Sequence, residues 1–450
     1  MKVTFLKSAT VIVEAGGKRV LMDPWLVDGE YYGSWAHVPP FDWQRHGHLL
    51  ESIDYIYISH VHPDHVSRKT MERLPKQVPV LIHRYEDPFL KRIIEQLGFG
   101  VRELPHNQRF DLGGRAEIAI LAADHCNPEL CGRFFGCGAI EARYGSTQID
   151  SLAVVTDGQH TLVNANDCPY ELSKAITADF VETRGPVDFL LMGYSGAGCY
   201  PQCFPNLSSE ERLAAAEAKK AQFLRQGEQY IRDLRPRWFM PFAGTYALSG
   251  RYAELNDLRG VPLLSEAFAY YSASQIAEQA GARCLLLDSG GSFDFADETV
   301  RGWFRAMDPE LRRRYIEEDL ATRTYEFDED PLPQLCMLTR LLPACYARME
   351  RRRKAIGFSS RTNVYVPLVN GRSARIPMDG SGCAVVDAAE KRSDPAYVEF
   401  TVDPRLLARI LRSPRLAHWN NASLGSHIRY DRRPDRFERG LYHVMNFFHA

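Results

Sequence analysis

The feature that most constrains this chain is a run of metal-binding side chains directly after an apolar segment. Residues 53–58 alternate residue types that favour strands and predict a buried β-strand. The segment that follows, residues 59–65 (SHVHPDH), places three imidazoles and a carboxylate within six residues. Such crowded groups converge only if something offsets their desolvation, as a metal ion does. Imidazole nitrogen and carboxylate oxygen suit zinc and non-haem iron, so the loop predicts a metal centre.

Length and composition indicate the class of protein. A chain of 450 residues exceeds what one hydrophobic core usually supports, so we predict two domains, at residues 1–290 and 291–450. Apolar residues make up 45%, charged residues make up 25%, and the formal net charge is −2. These values indicate neither a nucleic-acid partner nor a membrane partner. We therefore expect a small-molecule substrate.

The start of the chain and its cysteines indicate the compartment. Residues 1–7 enter a strand pattern without the apolar run of a signal peptide. No stretch approaches the roughly 18 uncharged apolar residues of a membrane span. Ten cysteines in a chain without such a signal are better explained as reduced thiols than as a disulfide framework. The sequence therefore predicts a cytoplasmic protein.

Periodicity predicts a mixed α/β (α+β) fold in the first part of the chain. Residues 3–23 favour antiparallel strands, after which strands and helices alternate. A hairpin is predicted over residues 150–163. The long helix predicted over residues 208–234 begins with a capping box formed by Ser208 and Glu211.

The second part begins with arginine-rich helices and ends as a small α+β module. The basic runs at residues 312–314 and 351–354 indicate solvated helix faces, with a site for a phosphate-bearing substrate as the alternative. Three strands are predicted, over residues 364–369, 383–386 and 397–402. A helix over residues 406–411 follows Asp403, with proline at its first position. We expect this module to cover the active site or to form a homodimer contact.

The HxHxDH spacing of residues 60–65 resembles the metallo-β-lactamase superfamily. The resemblance implies an αββα sandwich for the first domain, with the α+β module as an accessory domain. It also implies that His60 and His62 bind one metal together with a distant third histidine. Asp64 and His65 would bind a second metal, and a further aspartate would bridge the two.

The remaining ligands are assigned on the same resemblance. His125 follows a predicted strand and stands 65 residues after His60, which suits the third histidine of the family. His83 and His106 are the alternatives. Asp167 follows the predicted hairpin, where the family places its bridging carboxylate, and two cations about 3.5 to 4 Å apart need such a ligand.

Other side chains are predicted to act in or around the centre. Asp64 and Asp167 are the predicted catalytic carboxylates. We expect Asp23 and Asp54 to accept hydrogen bonds from the N–H groups of the ligands. Three side chains are candidates for substrate contact, with packing as the alternative explanation for each: Tyr31, Tyr32 and Arg133.

A narrower resemblance extends over most of the chain. Six segments resemble the catalytic region of the CMP-N-acetylneuraminic acid hydroxylase family: residues 23–26, 33–40, 57–60, 164–168, 241–244 and 419–448. This resemblance implies an iron oxygenase. That family carries a Rieske domain with C-x-H and C-x2-H pairs for its cluster, and the 450 residues contain no such pair. We therefore expect a separate ferredoxin or reductase, unless the substrate itself is oxidised or the reaction is not an oxygenation.

The sequence thus predicts a metal-dependent enzyme with two candidate reactions. The first is a non-haem di-iron oxygenase acting on a small polar metabolite, with two metal ions, iron in preference to zinc, and O2 as co-substrate. The histidine that the superfamily often places near Phe242 is absent from the sequence, which leaves a coordination position for O2. The alternative is a zinc-dependent hydrolase of a phosphoester or lactone, whose bound water ionises near pH 7, about the value known for zinc enzymes. The predicted ligands suit both.

Overall fold

The structure is a computed structural model that describes residues 1–85, 88–122 and 150–450. Two β-sheets form its first part. The strands of the first sheet are β1 (Lys2–Lys7), β2 (Thr10–Ala15), β3 (Lys18–Met22), β5 (Tyr55–Tyr57), β6 (Val80–His83), β7 (Val101–Leu104), β16 (Leu287–Asp294) and β17 (Thr299–Trp303). Their order is β17-β16-β1-β2-β3-β5-β6-β7. The four strands from β3 to β7 in this order run parallel, and the others are antiparallel.

The second sheet has seven strands. They are β8 (Arg109–Gly113), β9 (Ala116–Ala122), β10 (Ser151–Thr156), β11 (Thr161–Asn164), β12 (Phe189–Gly193), β13 (Trp238–Ala243) and β15 (Arg283–Cys284). Their order is β15-β13-β12-β11-β10-β9-β8, with β11, β12, β13 and β15 parallel. Two short strands pair outside both sheets, β4 (Trp35–Ala36) with β14 (Ala247–Leu248).

The two sheets pack face to face. Alternation along β2 shows how the sequence specifies this arrangement: Val11 and Val13 enter the core between the sheets, while Ile12 joins a second cluster on the outer face. Ile118 and Ile120 of β9 enter the core from the opposite sheet. Because side chains alternate across a strand, a strand covered on both faces is mostly apolar, as β2 (TVIVEA) and β9 (AEIAILA) are.

Helices cover the outer faces of the sandwich. On the first sheet these are Arg68–Met71 and Phe89–Gln96. On the second sheet they are Tyr170–Arg184, Ser209–Leu234, Leu264–Ser272 and Gln275–Ala280. The predicted capping box is present, with Ser208 accepting from the backbone of Glu211 and the Glu211 side chain accepting in return. The predicted αββα sandwich is confirmed.

The sandwich extends beyond residue 290. Both β16 and β17 belong to the first sheet, with Phe293 paired to Val3, so the sheet reaches Trp303. The predicted boundary at residue 291 therefore falls inside β16. None of the helices in the described ranges combines the length and hydropathy that a membrane span requires.

The C-terminal part forms a five-stranded sheet with four helices. Its strands are β18 (Asn363–Pro367), β19 (Arg372–Pro377), β20 (Ala384–Asp387), β21 (Tyr397–Thr401) and β22 (Arg429–Arg433), in the order β20-β19-β18-β21-β22. Its helices are Leu335–Ala355, Pro404–Arg412, Trp419–Leu424 and Arg439–Met445. Asp403 caps Pro404–Arg412, as the sequence predicts. The remaining short helical segments are Glu30–Gly33, Trp43–His46, Gly47–Leu50, Gly250–Leu258, Pro309–Arg314, Tyr315–Asp319, Leu320–Thr322 and Ala388–Ser393.

One loop of the sandwich is anchored in the core of the C-terminal part. Trp25, Tyr31 and Trp35 share a hydrophobic cluster with buried residues of the five-stranded sheet. Hydrogen bonds reinforce this packing: Ser34 Oγ donates to Gly425 O (2.6 Å), and Trp35 Nε1 donates to Leu424 O (3.1 Å). The C-terminal part therefore fixes the loop that carries Tyr31.

Candidate metal centre

The candidate metal centre lies at the edge where strands of both sheets begin or end. Because β3 and β5 are parallel neighbours, their carboxyl ends bring Asp23 beside Ser59. In the second sheet, β10 begins directly after Asp150, and β11 ends three residues before Asp167. Ser151 joins the two sheets here, with its hydroxyl donating to Ser59 O (2.9 Å). Side chains from four strand ends therefore meet at one edge.

The first group of donor atoms comes from His60, His62 and Asp150, whose ligand atoms lie within 4.8 Å of one another. His60 Nε2 is 2.8 Å from His62 Nδ1 and 3.6 Å from Asp150 Oδ1. The Ser59 hydroxyl donates to Asp23 Oδ2 (2.7 Å), so it accepts from Nδ1 of His60 (2.9 Å). This bond places the proton on Nδ1, and the lone pair of His60 Nε2 faces the other two donors.

The second group joins His60 to His65 and Asp167, again with ligand atoms within 4.8 Å of one another. His65 Nε2 lies 3.2 Å from Asp167 Oδ2 and 3.6 Å from Asp64 Oδ2. On the other side of the ring, His65 Nδ1 is 3.0 Å from Asp23 Oδ2, which accepts its N–H. The Nε2 lone pair of His65 is thereby directed toward Asp64 and Asp167.

The charges around these donors favour bound cations. Although burial opposes the effect, the carboxylates of Asp167, Asp23 and Asp64 raise the pKa of His65 well above its ordinary value. Burial, reinforced by the charge of Asp167, raises the pKa of Asp150 to about 7. Asp167 Oδ1 is buried and has no hydrogen-bond partner among the described residues. Buried carboxylates and imidazoles that face one another without enough positive charge are the donor set of zinc or non-haem iron, so the residues fit a metal.

Asp150 is the ligand candidate that the sequence did not reveal. The residue reads as the start of the predicted hairpin, and no motif marks it. A signal was nevertheless available, because β9 and β10 pair antiparallel, with Ser151 opposite Ala122. The start of one strand therefore lies beside the end of the other. A carboxylate directly before β10 therefore lies at the same edge as the end of β9.

The two supporting carboxylates occupy opposite ends of the strands. Asp23 is fully buried and accepts from both N and Oγ of Ser59 as well as from His65. Asp54 lies before β5, where its carboxylate accepts from Lys18 Nζ (2.9 Å) and the backbone N–H of Arg19 (2.9 Å). The prediction that Asp54 accepts a ligand N–H is therefore wrong. Asp54 precedes β5, whereas the predicted ligands His60, His62, Asp64 and His65 follow it.

The two tyrosines that were predicted to contact the substrate also differ in their surroundings. Tyr31 donates its hydroxyl to Asp64 Oδ1 (2.5 Å), so it contacts a predicted ligand. Tyr32 points toward the C-terminal part, where its hydroxyl accepts from the backbone N–H of His418 (2.7 Å). Tyr32 therefore contributes to packing, the alternative that the sequence left open. Arg133 and His125 lie outside the described residues.

The two alternatives to His125 lie outside the donor groups found in the described ranges. His106 Nδ1 accepts from the backbone N–H of Ala122 (3.0 Å). The ring of His83 packs edge-on against Tyr85, with ring centroids 4.8 Å apart. Neither position competes with His125 for the third histidine, whose assignment stays a prediction.

Comparison with known proteins agrees with the fold. Residues 2–130 match the profile described as the Beta-lactamase superfamily domain. Together with the αββα sandwich, this match shows that the chain has the metallo-β-lactamase fold, and the groups of residues at its edge could hold metal ions.

The chain is also similar to curated proteins. A protein of Mycolicibacterium smegmatis that carries Rieske 2Fe-2S iron-sulfur protein in its name is 27% identical over 318 residues, which cover 68% of this chain and 56% of the relative. The cytidine monophosphate-N-acetylneuraminic acid hydroxylase of Cricetulus griseus is 24% identical over 290 residues, covering 58% of this chain and 44% of that protein. The chain thus spans about half the length of these curated relatives.

Among solved structures, CmlA, a diiron beta-hydroxylase from Streptomyces venezuelae, is similar with 19% identity and a TM-score of 0.40. The likeness covers 63% of this chain and 52% of CmlA. A TM-score of this size describes a loose likeness that does not bear on the reaction.

Proposed function

We propose that this protein is a non-haem di-iron oxygenase that hydroxylates a small polar metabolite. The observation that carries the proposal is the relationship to a hydroxylase, 24% identical over 290 residues, in a chain that gathers histidines and aspartates at one edge of its sandwich. The donor set contains imidazole and carboxylate groups without a cysteine thiolate among the described residues, which suits non-haem iron.

Each side chain of the centre has a proposed role. His60, His62 and Asp150 would hold one ion, with His125 as a further candidate ligand. Asp64 and His65 would hold the second ion. Asp167 would bridge the two, because one of its oxygens faces His65 and the other is buried without a partner among the described residues. Two bound iron ions would supply the electrons and open coordination positions that reduction of O2 requires.

The surrounding residues would hold these ligands in a fixed geometry. Asp23 and Ser59 accept the Nδ1–H groups of His65 and His60, so both rings present Nε2 to the centre. Tyr31 donates to one oxygen of Asp64 and leaves the other oxygen for a cation. Burial of the centre would limit the access of water, which protects an oxidising site from side reactions.

An electron donor completes the proposal. Hydroxylation by O2 consumes two electrons beyond those that the substrate provides. Relatives named as Rieske 2Fe-2S proteins extend beyond the aligned region, which covers 56% of the M. smegmatis protein. We propose that an iron–sulfur protein, either a ferredoxin or a Rieske-type unit, passes electrons to the centre. A reductase would in turn reduce that iron–sulfur protein.

The test is metal analysis of the full chain expressed in iron-supplemented and in zinc-supplemented medium. Mössbauer and EPR spectra of the iron-loaded protein are then recorded before and after exposure to O2. We expect about two iron ions per chain and a spectrum that changes with O2. Asp167→Asn should lose the spectroscopic signal of a bridged pair of iron ions. Asp54→Asn, which changes a carboxylate of the same sandwich away from the centre, should retain that signal.

The opposite result would point to the hydrolase. Stoichiometric zinc, with iron that binds weakly and does not respond to O2, would overturn the oxygenase proposal. Assays would then turn to phosphoesters and lactones.

A further inference from the structure

A line of packed aromatic rings leads away from the candidate metal centre. Tyr31 begins the line, because its hydroxyl donates to Asp64 Oδ1 (2.5 Å). The ring of Tyr31 contacts Trp35, with ring centroids 4.4 Å apart, and the ring of Trp35 contacts Trp25, with centroids 6.0 Å apart. All three side chains are buried, with exposures of at most 3%. Tyrosine and tryptophan are among the side chains that lose an electron most readily, so the line consists of oxidisable groups in contact.

Trp35 also stacks on Tyr246, which forms a branch of the line. The two ring centroids are 3.5 Å apart, and the ring planes are inclined by 6°. The guanidinium carbon of Arg259 lies 4.4 Å from the centroid of the Tyr246 ring. A ring that loses an electron gains positive charge, and a buried cation beside that ring opposes the loss. We therefore expect Trp35 to exchange electrons with Trp25 in preference to Tyr246.

The surroundings of Trp25 favour the loss of an electron. His37 packs against Trp25 with ring centroids 4.0 Å apart, and burial lowers the pKa of His37 to about 4. The neighbouring imidazole is therefore uncharged at neutral pH. Trp25 Nε1 donates to Val27 O (3.0 Å), and a hydrogen bond to a carbonyl becomes stronger when the donor carries positive charge. Trp25 is thus better suited than Tyr246 to end the line.

The Trp25 end of the line lies beside a cleft at the surface. Asp28 lines this cleft of about 390 Å³ together with Lys69 and Glu326. The side chains of Lys69 and Glu326 are 36% and 41% exposed, so the cleft is open to solvent. The backbone N–H of His37 donates to Asp28 Oδ1 (2.9 Å), which holds this wall of the cleft beside the pair formed by His37 and Trp25. The line therefore runs from a predicted metal ligand to a cleft that a small reductant can enter.

The electron count of the proposed reaction gives such a line a use. In hydroxylation, O2 receives two electrons from the iron–sulfur donor and two from the substrate, whose C–H becomes C–OH while the second oxygen atom leaves as water. Without substrate, reduction of O2 to two waters still takes four electrons and four protons. The donor supplies two of these electrons, so two are missing. Incompletely reduced oxygen would then oxidise the ligands around it, a side reaction that an oxygen-using site has to prevent.

We propose that Tyr31, Trp35 and Trp25 form an electron-transfer chain that supplies the two missing electrons when O2 reacts without substrate. The chain thereby protects the metal ligands from oxidation. This inference rests on the proposed function, because O2 reduction at the centre provides the oxidant.

Each electron follows the same route through the chain. Tyr31 gives one electron to the centre while its hydroxyl proton passes to the carboxylate of Asp64. Trp35 reduces Tyr31, which takes its proton back, and Trp25 in turn reduces Trp35. A thiol in the cleft reduces Trp25. After two such transfers, two thiols have become one disulfide and have released two protons, and two further protons from solvent complete the four that O2 takes up.

The test uses the full chain loaded with ferrous iron in the absence of O2 and of substrate. The protein is mixed with O2, frozen at successive times and examined by EPR for a radical on an aromatic side chain. Protein grown with ring-deuterated tyrosine or with ring-deuterated tryptophan identifies the ring, because deuterium narrows only the signal of the ring that carries it. We expect a tyrosine radical followed by a tryptophan radical, and dithiothreitol should remove the tryptophan signal.

Variants that keep an aromatic ring but make it hard to oxidise locate the radicals. In Trp35→Phe we expect the tyrosine radical to last at least about tenfold longer, because the barrier to its reduction rises. In Trp25→Phe the radical should stay on Trp35 and react with dithiothreitol at least about tenfold more slowly. The matched control is Trp419→Phe. Trp419 is 2% exposed, as Trp35 is, and also donates its Nε1–H to a carbonyl, that of Phe448 (2.9 Å), but it lies outside the line. This control should behave like the unaltered chain.

Three outcomes would overturn the inference. The first is an iron centre that responds to O2 without any ring radical in the unaltered chain, which would leave the proposed function standing. The second is a radical whose position and lifetime are the same in Trp35→Phe, Trp25→Phe and the unaltered chain, which would reduce these rings to packing. The third is iron that does not respond to O2, which would overturn the proposed function as well. If Trp35→Phe fails to fold by circular dichroism, Trp25→Phe decides.

Discussion

Two pairs of buried histidines occupy different parts of this molecule. His60 and His65 lie at the edge of the sandwich and are 3% and 1% exposed. His427 and His443 lie in the C-terminal part and are 1% and 7% exposed. Burial is therefore the same for both pairs. The difference between them lies in the groups that face the rings.

Carboxylates surround the first pair, whereas aromatic rings, carbonyls and cations surround the second. His65 lies within 3.6 Å of carboxylate oxygens on both sides of its ring. His427 Nε2 donates to Tyr31 O (2.8 Å), and the ring packs against Tyr325 with centroids 4.7 Å apart. His443 Nε2 accepts from Arg352 Nε (3.0 Å).

The ionisation of His65 follows these surroundings, whereas burial and the neighbouring rings of His65 and His62 lower the pKa of His60 well below its ordinary value. The carboxylates raise the pKa of His65 against the effect of burial. Burial lowers the pKa of His427 and of His443 to about 4, so both stay neutral in the folded protein at neutral pH. Burial alone therefore does not identify a metal ligand. Neighbouring carboxylates that favour a cation at the same point do.

Removing one histidine ring from the edge of the sandwich and one from the C-terminal part should give the largest difference in metal binding. We expect His62→Ala to weaken metal binding by more than about a hundredfold, because loss of a ligand exceeds the effect of losing a supporting contact. His427→Gln replaces a buried ring whose Nε2 donates to a carbonyl and not to a predicted metal ligand, so this variant should keep the metal content of the unaltered chain. Metal content after dialysis against a chelator measures both. Full metal content in His62→Ala would remove this residue from the centre.

Asp23 and Asp54 allow the same comparison of metal binding within the sandwich. Asp23→Asn weakens the bond that orients His65, and we expect about ten- to a hundredfold weaker metal binding. Asp54→Asn loses an ion pair with Lys18 that is partly exposed, so metal binding should be unchanged and stability should fall by less than about 1 kcal/mol. Competition titration with a metal-binding dye distinguishes the two. Equal losses in the two variants would show that the position along the strand is unimportant.

Asp54 also shows which features of the structure the sequence can predict. The motif in the loop after β5 predicted the sandwich through its resemblance to the metallo-β-lactamase superfamily, and the strand pattern before it predicted the strand itself, because alternating apolar residues are a local signal. The capping box at Ser208 and the cap at Asp403 are local as well. The supporting role of Asp54 needed the direction of its strand relative to the loop, and its proximity in sequence to the motif was misleading.

The parts that the sequence could not supply depend on neighbouring strands and on packing between regions. Asp150 joins the first donor group only because β10 starts beside the end of β9. The contact of Tyr31 with both Asp64 and His427 requires the C-terminal part to pack against the loop of the sandwich. Pairwise contacts of this kind leave no periodic pattern in a single sequence.

A pH series should reveal the second pair of histidines through stability. The pKa of His443 is about 4 in the folded protein against an ordinary 6.5, so the unfolded chain binds more protons between these values. The stabilisation is complete above pH 6.5 and is lost as the pH falls toward 4. Between pH 7 and pH 5 the loss should be about 2 kcal/mol. Urea unfolding of the unaltered chain and of His443→Gln measures this, and identical pH slopes in the two proteins would contradict it.

Tyr31 contacts both Asp64 and His427, and the expected effect of changing it is the smallest. Tyr31→Phe removes the hydrogen bond to Asp64 and leaves the backbone bond to His427 in place. A hydrogen bond to a carboxylate contributes about 1.5 to 3 kcal/mol, and Asp64 is only one ligand, so we expect metal binding to weaken by about tenfold or less. Tyr32→Phe is the matched control, because it removes a hydroxyl that bonds to the His418 N–H and the Asn421 side chain and not to a predicted metal ligand. It should lower stability by about 1 kcal/mol without altering metal binding. If Tyr32→Phe weakened metal binding as much as Tyr31→Phe, the packing of the loop, and not the contact with Asp64, would be what the centre depends on.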